Sequence, residues 1–492
     1  MKRTSGVLMH ITSLPGDYST GDFGKGAFDF VDSLVEGGFT YWQVLPFCMP
    51  DVHGSPYSSY SAFSLNPFMI SLDTLYNDGW LTKEELEKEK QASPWLCDFE
   101  RLNETRLEVL QTAAERALAD EKVKEAVCSF MNENVELKNF CLFMALREAN
   151  GNRHWIEWEN ENDYSEKRYL GWQFIQYEFC RQWKKVKDYA NKKGIKIIGD
   201  IPIYVAYNSS DVWANRDKGI FDIDSKGHLK SVAGVPPDFF SEDGQLWGNP
   251  LYNWKTMKKD GYAWWSARLR HLFNQFDGVR IDHFRGLESY WSVPVTAKSA
   301  KEGKWIKGPG KAFINTIKEI ANEYKDDEGN GRLVIAEDLG VITEEVANLV
   351  KYSGFAGIRV LQFGFMGDSN SPHLPHNYCN NCIAYTGTHD NNTLLGFIFE
   401  SDENTRRALL EYCGYNGGDW ERGYDSILQA MLASHSGLVV LPIQDVLRYG
   451  ADTRFNTPGT ADGNWRYRVT KEQLDGIDYN KLLHWNRIYA RV

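Results

Sequence analysis

The chain has 492 residues, a formal net charge of −12, 42% hydrophobic and 25% charged residues. That balance is globular, and its acidity argues against nucleic acid or an anionic membrane as the main partner. No apolar run reaches the ~18 residues of a membrane span. The start, MKRTSGVLMHITSLPG, lacks the apolar stretch and small-residue cleavage site of a signal peptide, so a cytoplasmic location is expected.

Short apolar runs, bounded by Gly or Pro and mostly ending in polar residues, recur along the chain. SGVLMH (5–10) is the first. A helical stripe follows in GKGAFDFVDSLVEGG (24–38), with Phe28, Val31, Leu34 and Val35 on one face. TYWQVLPF (40–47) is the second run, and about 150 residues separate it from the third, KIIGDIPIYV (196–205). That gap far exceeds an ordinary βα unit. It holds a capping box at Thr82–Glu85 and helix-forming segments such as 103–151, and is expected to be a mainly helical insert over 71–180. Residues 206–256, rich in Gly, Pro, Asp and aromatics, are expected to form an ordered functional loop.

FDGVRIDHF (276–284) is the fourth run. GPGKAFINTIKEIANEY (308–324) then predicts a helix with Phe313, Ile314, Ile317 and Ile320 inward. RLVIAEDLG (332–340) precedes a helix in TEEVANLVKYSG (343–354) that starts at Thr343 and closes on Gly354. GIRVLQF (357–363), IAYTGTHDN (383–391) and GLVVLPIQD (437–445) complete eight runs. Strands alternating with helices predict α/β architecture, and eight such units predict a single (β/α)8 TIM barrel over 1–492. Only about 45 residues follow the last run, too few for a C-terminal β-sandwich.

The eight cysteines are scattered and make no disulfide framework. Cys379 and Cys382 form a C-x-x-C; a zinc site would want a second pair or nearby histidines at ligand spacing, and His373 and His376 upstream leave that reading open beside the simpler one. They are read as loop cysteines. No D-x-[DN]-x-[DN]-G loop is present, so calcium is not expected either. No cofactor or metal is expected.

In such a barrel the active site lies at the C-terminal ends of the strands. Asp200 sits there on the third run, Arg280 and Asp282 on the fourth, Glu337 and Asp338 on the fifth, His389 and Asp390 on the seventh, and Gln444 and Asp445 on the eighth. A lone strand-end Asp often caps the next helix, and Asp338 could do so. Four strands presenting acids, one beside an Arg, point instead to chemistry. Arg280 and Asp282, two apart in a strand, face the same way. Glycosidic cleavage needs one carboxyl to protonate the leaving oxygen and another to attack or to activate water. Asp282, kept ionised by Arg280, and Glu337, kept protonated in a dry site, fit those two parts. The high aromatic content, 17 Trp and 25 Tyr, suits a sugar-lined site but also large cores.

GVLMHITSLPGDYSTGDFG (6–24), GSPYSSYSAFSLNP (54–67), GDIPIYVAYNSSDVWAN (199–215), GVPPDFFSEDGQLWGNPLYNW (234–254), VRIDHFRG, IAEDLG, TGTHDNNT and NTPGTADGNW (456–465) stand in order across nearly the whole chain. In that order and spacing they resemble glycoside hydrolase family 77, the 4-α-glucanotransferases of the α-amylase clan. The resemblance implies Asp282 as nucleophile, Glu337 as general acid/base and Asp390 as the third carboxylate, which holds the distorted sugar. It implies substrate contacts from Ser55, Tyr57, Asp200, Arg280, His283, His389 and Asn464. From a lid in 206–256 it implies Phe239, Phe240, Gln245, Trp247 and Asn249. The expected partners are maltooligosaccharides, amylose or glycogen-derived α-1,4-glucans, with glucose as acceptor. Ile11, Phe239 and Tyr467 depart from the family's usual Pro, Tyr and Trp. An α-amylase-like hydrolase, or a glycan-binding protein with an inactive barrel, remain the alternatives at this stage.

Overall fold

The computed structural model describes all residues except 238–241, 327, 419 and 461. Twelve strands occur in chain order: β1 Thr4–Leu8, β2 Tyr41–Gln43, β3 Lys196–Ile201, β4 Ser231–Val235, β5 Gln245–Pro250, β6 Gly278–Ile281, β7 Ser289–Pro294, β8 Lys304–Lys307, β9 Leu333–Ala336, β10 Ala356–Val360, β11 Cys382–Tyr385 and β12 Leu438–Pro442. Eight of them close a parallel barrel in the order β1-β12-β11-β10-β9-β6-β3-β2. Each corresponds to one of the eight apolar runs, and the α/β barrel expected from them is the observed fold. Its interior is filled by branched side chains from alternating positions, among them Leu8, Leu45, Ile198, Ile335, Ile358, Ile383 and Val440.

The helices cover the barrel with the faces their sequences dictate. Gly310–Glu323 buries Phe313, Ile314, Ile317 and Ile320, as its period requires. Glu344–Ser353 ends on Gly354, whose φ of 69° is the left-handed value glycine accepts most easily. Lys25–Glu36 buries Val31 and Leu34 of the expected stripe together with Ala27 and Phe30; Phe28 is half-buried, edge-on against Tyr189, and Val35 is exposed. This helix packs against both Glu166–Lys192 and Tyr479–Ile488, so its apolar side chains serve more than one direction. Between β2 and β3 the elements are all helices, joined by loops, and the longest of them, Glu166–Lys192, runs unbroken through residue 180 and leads directly into β3. After β12 come only short helices and loops, with no further strand among the described residues.

The long segment after β3 is more regular than its composition suggested. β4 and β5 form a hairpin, and β4 also pairs with β7, which pairs with β8, giving a four-stranded antiparallel sheet β5-β4-β7-β8. Strands inserted after both β3 and β6 therefore build one small sheet at the barrel mouth. No helix among the described residues is long and apolar enough to cross a membrane.

Candidate active site

The barrel register brings the mouth residues together. Asp200 on β3 lies opposite Arg280 on β6. Its neighbour Gly199 packs so tightly that a Cβ there would come within 2.3 Å of the Phe276 ring. Asp200 is fully buried, and an isolated carboxylate in that position would be costly. Arg280 Nη1 meets both its oxygens, at 2.9 and 2.8 Å, and the Tyr57 hydroxyl donates to Oδ2 at 3.0 Å. The other arm of the guanidinium, Nη2, reaches Asp282 Oδ1 at 2.9 Å. Burial works against the charge on Arg280, but Asp200 and Asp282 hold its pKa well above the usual value. Burial pushes the Asp200 carboxyl up, and Arg280 opposes that. Asp282 keeps 29% of its side chain exposed, so it is anchored yet open to the mouth.

Glu337 follows β9 and is 9% exposed. Its backbone is stitched to the β6 side: its N–H donates to Ile281 O and its carbonyl accepts from Phe284 N–H, both at 3.1 Å. Two amides hold its carboxyl, His283 N–H to Oε2 at 2.8 Å and Leu339 N–H to Oε1 at 2.7 Å. His283 supplies that bond from a φ of 47°, a left-handed conformation uncommon outside glycine. Burial pushes the Glu337 carboxyl up to about 8; Arg280 opposes this, and the charge on Asp282 adds to it. The two amides favour the ionised form, but burial outweighs them, so the protonated form is favoured well beyond that of a free glutamate.

His389 and Asp390 follow β11. Asp390 Oδ2 lies 3.3 Å from His389 Nε2, and the side chain is 42% exposed. Asn456 donates to Asp390 Oδ1 at 2.6 Å, and Arg454 to its carbonyl at 2.5 Å. The Tyr57 ring stacks nearly parallel on His389, with centroids 5.1 Å apart at 16°. Trp465 lies 5.7 Å from Tyr57 and 6.0 Å from His389. Flat rings beside carboxylates make a surface suited to a sugar's apolar face and polar edges. On β5, Trp247 meets the His283 ring edge-on at 5.0 Å and donates to Gln245 Oε1 at 3.1 Å.

Not every expected residue joins this constellation. Phe239 and Phe240 lie outside the described residues. Asn464 turns into its own loop: Oδ1 accepts Thr457 N–H and Nδ2 donates to Thr460, so its amide is spent on the turn. Ser55 Oγ accepts Tyr57 N–H within its own loop. Asn249 donates to Val205 O, tying β5 to the segment after β3. Asp445 is buried and accepts from Thr386 Oγ1 and Leu394 N–H, locking the eighth strand end to the seventh. Asp338 does not cap the next helix, whose N-cap is Thr343; it accepts from Ile358 N–H instead. Among the described residues no group of three or more His, Cys, Asp or Glu could hold a metal ion. The contacts of Arg454, Asn456 and Trp465 were not foreseen; the only signal was the NTPGTADGNW segment.

A closed α/β barrel with a buried carboxyl of raised pKa and an arginine-anchored carboxylate at its C-terminal mouth is the arrangement of an enzyme that breaks and makes glycosidic bonds. A profile of glycoside hydrolase family 77, 4-alpha-glucanotransferase, matches residues 9–474. The Clostridium butyricum 4-alpha-glucanotransferase is 40% identical over 504 residues, covering 98% of this chain and 100% of that one. The Synechocystis 4-alpha-glucanotransferase is 39% identical, covering 100% of this chain and 98% of that one. Among solved structures, the amylomaltase from Streptococcus agalactiae in complex with acarbose superposes with a TM-score of 0.93 at 36% identity, with 100% of both chains covered. The chain belongs to glycoside hydrolase family 77, the 4-α-glucanotransferases.

Proposed function

We propose that this chain moves segments of α-1,4-glucan from a donor maltooligosaccharide to the 4-hydroxyl of an acceptor, glucose included, by double displacement with retention. In the first step Asp282 attacks C1 of the donor sugar, and Glu337 gives its proton to the departing glycosidic oxygen. The C1–O bond breaks and a glycosyl ester on Asp282 forms. In the second step the acceptor 4-hydroxyl attacks C1, Glu337 takes its proton, and Asp282 leaves as carboxylate. Esterification removes the negative charge of Asp282, one of the influences holding Glu337 protonated. The same carboxyl can then act as a base. Asp390 and His389 hold the hydroxyls of the distorted sugar, Tyr57 supplies its stacking surface, and Asp200 with Arg280 lines its edge.

The observation that carries this reading is the Arg280–Asp282 pair beside a carboxyl raised to about 8. Transfer rather than hydrolysis is favoured by the lid: Trp247, packed on His283 at the mouth, keeps water from the ester while an acceptor sugar binds. We read the barrel as one catalytic domain, with 71–180 and 206–256 as insertions that frame a groove for amylose- or glycogen-derived chains. All eight cysteines are unpaired, which supports a reducing compartment, the cytoplasm. The test is product analysis of maltotriose with wild type and Asp282→Asn. Glucose together with a ladder of longer chains, lost in the variant, is expected. Glucose and maltose without longer chains would mean an α-amylase-like hydrolase.

A further inference from the structure

Asp338 follows the acid Glu337 directly, contacts β10 through Ile358 and Arg359, and has no part in the reaction described above. Strands β9 and β10 pair only at Ile335–Ala356 and Ala336–Gly357. The next amide on β10, Ile358 N–H, donates to Asp338 Oδ1 at 2.6 Å. Arg359 Nη1 meets the same carboxylate at 3.1 and 3.3 Å and also donates to Ile358 O at 2.5 Å. The carboxylate rests on bare backbone: a Cβ on Gly357 would lie 2.6 Å from Asp338 Oδ2. The Asp338 side chain is 9% exposed.

We propose that Asp338, gripped by the Ile358 amide and Arg359 over Gly357, is a positioning residue for the acid/base carboxyl of Glu337. This rests on the assignment of Glu337 made above. The link is one peptide unit. Leu339 N–H, which holds Glu337 Oε1 at 2.7 Å, belongs to the peptide between Asp338 and Leu339. On the other side Glu337 is fixed to Ile281 and Phe284. Asp338 thus closes the β10 side of a frame whose β6 side is ordinary backbone pairing. Asp338 supports β10 at the point where its pairing with β9 has ended. The charge of Asp338 is answered by Arg359 on the outer side of the barrel. The groups facing Glu337 itself are Arg280, Asp282 and His283.

The test separates proton donation from everything else. Single-turnover cleavage, with enzyme in excess, is measured on maltotriose and on α-maltosyl fluoride, whose departing fluoride needs no proton. Asp338→Asn and Arg359→Met are expected to slow maltotriose cleavage about ten- to a hundredfold, as small misplacements of a catalytic group do, and fluoride release less than about threefold. Arg359→Lys restores most of the loss. Arg359→Met also moves the alkaline limb of the pH profile upward, because a cation is lost and the Leu339 amide grips the carboxylate less well. Equal slowing of both donors by Asp338→Asn and Arg359→Met would make the clamp merely structural and overturn the proposal. Glu337→Gln run beside them distinguishes the two failures. If it too slows both donors equally, the acid assignment is at fault; if it discriminates while the clamp variants do not, only the positioning role is. Gly357→Ala, which displaces the carboxylate without touching a charge, should behave like Asp338→Asn if the variant folds, as read by circular dichroism.

Discussion

Glu337→Gln should change how stability depends on pH. The carboxyl is buried and its pKa lies at about 8, against 4.5 for a free glutamate. At about 1.4 kcal/mol per pH unit, that gap is a preference of about 5 kcal/mol for the protonated form in the folded state. The folded pKa is the higher one. Its contribution is therefore fully present below about pH 4.5 and is lost as pH rises through about 8. Glutamine never ionises and escapes that loss. It also has a single acceptor oxygen for the two amides, His283 N–H and Leu339 N–H, so one is left badly matched at a cost of about 1–3 kcal/mol. The variant should be less stable than wild type near pH 4 by about that amount, and more stable near pH 9 by about 3 kcal/mol, the remainder of the ~5. Urea unfolding of both proteins at the two pH values measures this, since other groups titrate alike in each. A stability difference that keeps the same sign and size at both would refute a buried, proton-bearing Glu337.

Arg280→Met should cost about 3–5 kcal/mol, because Asp200 is left buried without its cation; adding Asp200→Asn should return most of the stability and none of the activity, and simple additivity in urea melts would contradict the pairing. Asn456→Ala should lower kcat about ten- to a hundredfold by freeing Asp390 to turn, at a preserved Tm; an unchanged kcat on maltotriose would show that Asp390 needs no such hold. Trp247→Ala should raise the ratio of new reducing ends to transfer products from maltotriose, and an unchanged ratio would remove this ring from the exclusion of water.

The barrel was legible because parallel strands buried on both faces leave continuous apolar runs that stop at polar residues. The placement of Asp282, Glu337 and Asp390 at strand ends was legible for the same reason: they stand where apolar runs stop. Side-chain direction beyond the strand end was not. Asp338, Asp445 and Asn464 carry the same residue types as the site, yet their oxygens satisfy amides of neighbouring strands and turns. Nothing local in the sequence distinguishes an oxygen spent on a backbone amide from one free for substrate. The small sheet was missed because its strands come from two insertions, one after β3 and one after β6, that no local pattern joins. The hold of Asn456 on Asp390 spans 66 positions and follows from the closure of the barrel alone.

The central claim is a covalent glycosyl ester on Asp282. Glu337→Gln incubated with α-maltosyl fluoride and no acceptor should accumulate it, because the ester forms without a proton and leaves slowly without a base. Peptide mass spectrometry should then find one maltosyl unit on the peptide carrying Asp282, absent from the Asp282→Asn, Glu337→Gln double variant. Fluoride released without any sugar on that peptide, or sugar on a peptide carrying Asp390 instead, would contradict the account.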